Sequence, residues 1–126
     1  MVFVEKIDRN KFDFYLLLGP YFGSRKVAKE VGIHTYDDYE KVWFVAFDQG
    51  LIGFASLKKN VVSDCYVLPE CRNQGVFSVI LSSLLLLSNG NLKATCTQSS
   101  KKAFANAGFV ETKKTANFTF MELNRA

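Results

Sequence analysis

The sequence predicts an α/β chain of the α+β kind: a mixed, mostly antiparallel sheet of six to seven strands flanked by about four helices. Three observations predict it. Segments of period-two apolar alternation and segments of helical spacing succeed one another along the 126 residues. Two tight turns, Gln49-Gly50 and Lys59-Asn60, fold residues 41–68 into a meander of three antiparallel strands. Twelve Phe among 48% hydrophobic residues suit a sheet with a thick aromatic core, and 22% charged residues keep the chain in the globular class. The length bounds the answer to one domain over residues 1–126, able to bury a core without disulfides.

Residues 2–7 read as a first strand. Asp8-Arg9-Asn10 then offers a helix N-cap, and Phe12, Tyr15, Leu16 and Leu18 give a helical face that Gly19-Pro20 breaks. A second helix is expected over about 23–30, followed by Gly32 and the irregular stretch 33–39. The aromatic and charged region 19–39 suits either a substrate-facing loop or a plain surface helix-loop. Strands at 41–48, 51–58 and 61–68 form the meander. The apolar run 76–87 is a buried helix, too short and too interrupted by Ser78, Ser82 and Ser83 to span a membrane. Gly90 caps it, residues 92–97 form a fifth strand, and a helix over 99–107 is closed by Gly108, with Phe109 making the contact that accompanies such a cap. Strands at 109–113 and 117–123 pair as a hairpin.

The stretch Val67-Leu68-Pro69-Glu70-Cys71-Arg72-Asn73-Gln74-Gly75-Val76-Phe77-Ser78 organises the rest. Pro69 cannot donate to a sheet ladder, so the strand stops there. Gly75 permits a tight turn or a close approach of a ligand to the backbone. The amides from Asn73 to Ser78 are then the unpaired donors of a new helix, whose end attracts phosphate. Strand, short loop, helix N-terminus and adjacent Arg make an anion cradle.

The frame Val67-x-Pro69-x-x-Arg72-x-x-Gly75 resembles motif A of the GNAT superfamily of acyl-CoA-dependent N-acyltransferases. Cys71 stands where that family usually has an aromatic, and Phe77 where it has Gly or Ala. A second frame, Thr97 to Phe109, keeps the spacing of the family's Asn-x-x-(Ala/Ser)-x-x-x-Tyr-x-x-x-Gly-Phe, with Ser100 and the terminal Gly108-Phe109 matching, Thr97 for Asn and Phe104 for Tyr. The resemblance is good over about 42–123 and in outline before that. It implies splayed fourth and fifth strands holding acetyl-CoA as co-substrate, and direct attack of a primary amine on the thioester. Val67 would offer main-chain hydrogen bonds to the pantetheine arm. Asn73, Gln74, Gly75, Val76, Phe77 and Ser78 would surround the pyrophosphate, and Thr97, Ser100 and Phe104 would border the coenzyme. Arg72 would either add charge there or pack its stem on the surface, and Lys101 and Lys102 would meet the terminal phosphate or remain solvated. Ser63-Asp64-Cys65-Tyr66-Val67 aligns with the strand that often carries the family's acid, which makes Asp64 the candidate catalytic base. A strand Asp paired with a lysine is the rival reading. Strict alternation puts Asp64 and Tyr66 on one face, with Ser63, Cys65 and Val67 on the other. Phe104 lacks the hydroxyl by which the family's Tyr protonates the departing thiolate, so a non-catalytic coenzyme-binding or interaction module stays open beside the enzyme.

A charge of +4 and a pI near 9.0 suit a polyphosphate coenzyme; as a sign of nucleic-acid binding this excess is mild and scattered, and a modifier of nucleic acid rests on it alone. Cys65, Cys71 and Cys96 are odd in number, lack Cys-x-x-Cys spacing and follow no signal-peptide pattern, pointing to a reduced cytoplasmic setting. With His34 the only imidazole, no metal is expected. No partner beyond coenzyme and amine, and no oligomeric state, is legible.

Overall fold

The computed structural model describes residues 1–32 and 35–125, without the side chain of Ser99. Part of the irregular stretch expected at 33–39, including His34, therefore lies outside the described residues. The strands are β1 (Phe3–Ile7), β2 (Lys41–Phe47), β3 (Leu51–Lys58), β4 (Val61–Val67), β5 (Leu92–Cys96), β6 (Val110–Lys114) and β7 (Thr119–Leu123). The helices are α1 (Phe14–Leu18), α2 (Arg25–Val31), α3 (Val76–Leu86) and α4 (Gln98–Asn106). All seven strands form one sheet in the order β1-β2-β3-β4-β5-β7-β6, antiparallel except for β4 against β5. The expected mixed sheet of six to seven strands with about four helices is observed as seven strands and four α-helices among the described residues.

Two apolar cores cover the faces. Phe44, Ala46, Ile52, Ala55 and Val62 pack under α3 and α4 with Ile80, Leu81, Leu84 and Phe104. Trp43, Val45, Phe54 and Tyr66 pack under α1 and α2 with Phe14, Leu18 and Val27. Each fully buried large side chain contributes about 1.5–3 kcal/mol against exposure. Gly53 is what lets α3 lie close to the sheet, because a Cβ there would meet Tyr66 O at 2.9 Å and Ile80 Cδ1 at 3.2 Å.

The first helix differs from expectation. Asp8 Oδ1 accepts from the Asn10 N–H at 2.9 Å, a local turn in place of a helix cap, and α1 begins only at Phe14. Its buried face is Phe14 and Leu18, while Phe12 (95%) and Leu16 (81%) stand in solvent. Helical spacing alone did not settle which stripe of so short a segment turns inward. After Pro69 the chain makes one 3-10 turn, Pro69–Cys71, before the N-terminus of α3.

The register of β4 is broken. Tyr66 faces Phe54 and Ser63 faces Ser56, so two residues of β4, Asp64 and Cys65, oppose one of β3, Ala55, and Asp64 takes a left-handed φ of 53°. This bulge turns the strand over: Val62 points to the α3/α4 core and Tyr66 to the α1/α2 core. Strict alternation placed Ser63 with Cys65 and Val67. The bulge instead brings Ser63 beside Asp64, with Ser63 Oγ 3.0 Å from Ser56 Oγ and 3.4 Å from Asp64 Oδ2.

Candidate active site

β4 and β5 pair only at Val61↔Lys93 and Val62↔Ala94. Beyond the bulge they part, and a cleft of about 650 Å³ opens between β4 and α4, the helix that follows β5. Its walls come from Cys65, Tyr66 and Val67 of β4, Cys71, Arg72, Asn73 and Gly75 of the loop that follows, the first turn of α3, and Ser100, Lys102, Ala103 and Asn106 of α4. Glu30 of α2 closes the remaining side.

The edge that β4 turns to the cleft follows from its hydrogen bonding. The Leu68 N–H donates to Ile52 O at 2.9 Å, so alternation directs the Val67 N–H and C=O away from β3 and into the opening. At the far end, Gly75 is the N-cap of α3 with φ 79°, and nothing lies within 4 Å of where its Cβ would be. The first helical bond is Val79 N–H to Gly75 O at 3.1 Å, so the amides of Val76, Phe77 and Ser78 precede the ladder and face out of the helix end. No acidic side chain occupies that first turn. The dipole and the open space over Gly75 together favour an anion.

Of the eleven residues expected around the coenzyme, Val67, Arg72, Asn73, Gly75, Val76, Phe77, Ser78 and Ser100 line the cleft. Gln74, Thr97 and Phe104 are not among the lining residues. Gln74 turns back to donate to Glu70 O at 3.3 Å, and Thr97 is the N-cap residue of α4. Phe104 is fully buried behind Phe77, whose ring meets it edge-on at 5.4 Å. The Phe77 ring thus packs back onto the α3/α4 core and leaves the backbone of the cradle accessible.

Arg72 does not extend freely toward the cradle. Its Nε donates to Val67 O at 2.9 Å, its Nη2 is ion-paired with Glu30 Oε2, and its guanidinium lies 5.5 Å from the Tyr66 ring. The bond to Glu30 holds the Arg72 pKa above its ordinary value. Burial raises the Tyr66 phenol, with Glu30 adding to it, and burial likewise raises Tyr21, whose ring is 6.0 Å from Tyr66. Of the two lysines on α4, Lys101 is taken by Glu111 at 2.8 Å, while Lys102 lines the cleft.

Asp64, the expected base, is not among the residues that line the cleft; it is buried on β4 and paired with Lys41, as the rival reading had it. It is 2% exposed, and its Oδ2 accepts from Lys41 Nζ at 2.8 Å and Ser56 Oγ at 2.6 Å. Asp64 Oδ1 is buried with no hydrogen-bond partner among the described residues. Lys41 Nζ also donates to Tyr36 O at 2.8 Å and lies 4.2 Å from the Tyr36 ring. The cysteines are free thiols; burial pushes Cys65 well up and raises Cys96 to about 11. Among the described residues no group of three or more His, Cys, Asp or Glu could hold a metal ion.

Sequence reasoning missed Glu30, Cys65, Tyr66, Cys71, Ala103 and Asn106 as cleft residues. Glu30 carried one signal, its place in the region 19–39 that lacked a strong period.

A seven-stranded sheet that parts between a parallel fourth and fifth strand, with an anion cradle at the mouth, is the fold of the GNAT N-acyltransferases, and this chain has it. ElaA of Escherichia coli superposes with a TM-score of 0.76 at 12% identity over 98% of this chain and 100% of that one. An acyl-CoA N-acyltransferase from Pseudomonas aeruginosa gives 0.71 at 13% identity, over 98% and 99% of the two chains. A GNAT family acetyltransferase from Elizabethkingia anophelis, solved with acetyl-CoA bound, gives 0.67 at 13% identity over 98% of each. The sequence itself matches no protein-family model and no curated protein, so the likeness is one of fold.

Proposed function

We propose that the chain is an N-acyltransferase that passes an acetyl group from acetyl-CoA to a primary amine by direct attack in a ternary complex. The observation that carries this reading is the cleft, which joins the β4 edge at Val67, turned away from β3, to the amide cradle at Gly75–Ser78. The acetyl-CoA bound to the Elizabethkingia neighbour supports the choice of donor.

The pyrophosphate would lie on the amides of Gly75, Val76, Phe77 and Ser78, near Asn73 and Lys102. Along the strand, Val67 O would accept from an amide of the pantetheine arm. Arg72 Nε already uses that oxygen, but a carbonyl has two lone pairs and takes a second donor. The Val67 N–H would stabilise the oxyanion that forms on the thioester carbonyl. The amine nitrogen bonds to the acyl carbon, the C–S bond breaks, and the thiolate leaves. The incoming ammonium gives up one proton before attack, and the nitrogen's second proton balances the departing thiolate. Asp64 does not line the cleft, so it would take the first proton through a water that reaches Oδ1, the oxygen not held by Lys41 or Ser56, from a position two residues before cleft-lining Tyr66. The thiolate would leave without a phenolic donor, since Phe104 has none and is buried; a thiol of pKa about 8.5 is a tolerable leaving group.

Calorimetry with acetyl-CoA followed by thiol release over a panel of amines tests this. Binding with turnover supports the enzyme; binding without turnover reduces it to a coenzyme-holding module, the reading that Phe104 favours. No heat and no thiol release would end it.

A further inference from the structure

Glu30 and Arg72 form an ion pair in direct contact on the wall of the cleft. Glu30 is the one lining residue from the helices ahead of β2, and the one carboxylate among the lining residues. Arg72 comes from the loop between β4 and α3, and its position is fixed by Val67 O and by the Tyr66 ring. Each retains capacity: Arg72 has five N–H donors and uses Nε and Nη2, and the Glu30 carboxylate engages the guanidinium through Oε2. Both side chains are also within reach of solvent, at 38% and 31% exposure.

A pair of this kind is electrically neutral as a whole and polar along one axis. A ligand bearing only a positive charge gains from Glu30 and loses to Arg72 beside it, and a ligand bearing only a negative charge meets the reverse. A ligand with an ammonium and a carboxylate on one carbon meets both partners at once. It replaces an internal ion pair by two charge-assisted pairs of the same sign pattern. We infer that the acceptor is a free α-amino acid, its ammonium held by Glu30 and its carboxylate by Arg72, so that the nitrogen is presented to the thioester beside Val67. This rests on the acyl-transfer reading for the location of the thioester, but the binding site itself does not.

Three small probes of nearly one shape separate the possibilities: L-alanine carries both charges, ethylamine the ammonium alone, and propionate the carboxylate alone. Amide chemical shifts of the uncomplexed protein are followed as each is added. Alanine should move the Glu30, Tyr66 and Arg72 amides at concentrations about ten- to a hundredfold below those needed with ethylamine or propionate, the worth of one charge-assisted hydrogen bond. Glu30→Gln should remove that advantage, and Glu30→Asp should restore part of it. With acetyl-CoA saturating, the KM for alanine should rise in Glu30→Gln by a similar factor. The inference is overturned if ethylamine binds as well as alanine, if Glu30→Gln leaves the alanine shifts intact, or if no probe moves these amides. Failure of the acyl-transfer reading looks different: coenzyme A leaves the amides of residues 73–78 unmoved, whatever alanine does.

Discussion

Lys41 Nζ lies 2.8 Å from Asp64 Oδ2, and the two side chains are 7% and 0% exposed. Taking both charges out of water is costly, and the geometry offsets that cost with additional donors and acceptors: Ser56 Oγ on the carboxylate and Tyr36 O under the ammonium. The pair fastens β2 to the bulge of β4, at the level where β4 and β5 begin to part. One carboxylate therefore has a structural partner and a proposed chemical task, and the two can be separated by mutation.

Asp64→Asn should destabilise the fold by about 3–5 kcal/mol, because it strands the Lys41 charge in the interior. The double variant Lys41→Met/Asp64→Asn should regain most of that loss, read from urea unfolding. In the double variant, turnover should still be about a hundredfold below wild type while coenzyme affinity is kept, as expected for loss of a general base. Turnover near wild type would leave Asp64 with its structural task alone.

How much of this was legible beforehand depends on how local the cause was. The meander came from alternation and two turns, and the cradle from Pro69, Gly75 and an apolar run, all encoded within a few residues. The bulge was not, because a left-handed φ at Asp64 leaves no Gly in the sequence to announce it, and it re-aims Ser63. Glu30 reaches Arg72 across 42 positions of chain, so no spacing rule exposes it. The insertion of β7 between β5 and β6 is a crossover that pairing preferences of the final hairpin do not reveal.

Phe104→Tyr would restore the hydroxyl that the family resemblance finds missing. Phe104 is fully buried between Phe77 at 5.4 Å and Phe109 at 5.0 Å, behind the cleft wall. The new hydroxyl would have to find a partner in an apolar core or go without, at a cost of about 1–3 kcal/mol. A lowered denaturation midpoint with no gain in thiol release is the expected outcome; a faster enzyme would mean that this position does reach the leaving group.

The Cys65 and Cys96 thiols set a pH limit on the alkaline side. Burial raises Cys96 to about 11 and pushes Cys65 well above its ordinary value. The folded state thus holds these protons more tightly than the unfolded chain. Their contribution to stability is whole below the unfolded thiol pKa of about 8.5 and is lost as pH rises through the folded value. The melting temperature should fall between pH 8.5 and 11, and Cys96→Ala should flatten that decline relative to wild type. An equal decline in both would assign alkaline loss to other groups.

Gly75 is where fold and ligand make the same demand. Its φ of 79° favours a residue without Cβ, and the open space above it is where the diphosphate is proposed to lie. Gly75→Ala meets no atom within 4 Å, so its effect on folding should be limited to backbone strain, about 1 kcal/mol. Gly75→Glu adds the same strain and also places a negative charge against the helix end, filling the space and opposing the phosphates. Calorimetry should show Gly75→Ala binding acetyl-CoA more weakly and Gly75→Glu not binding it at all, with both proteins melting at similar temperatures. Unchanged affinity in Gly75→Glu would move the diphosphate elsewhere and leave the amides of Val76, Phe77 and Ser78 without a ligand.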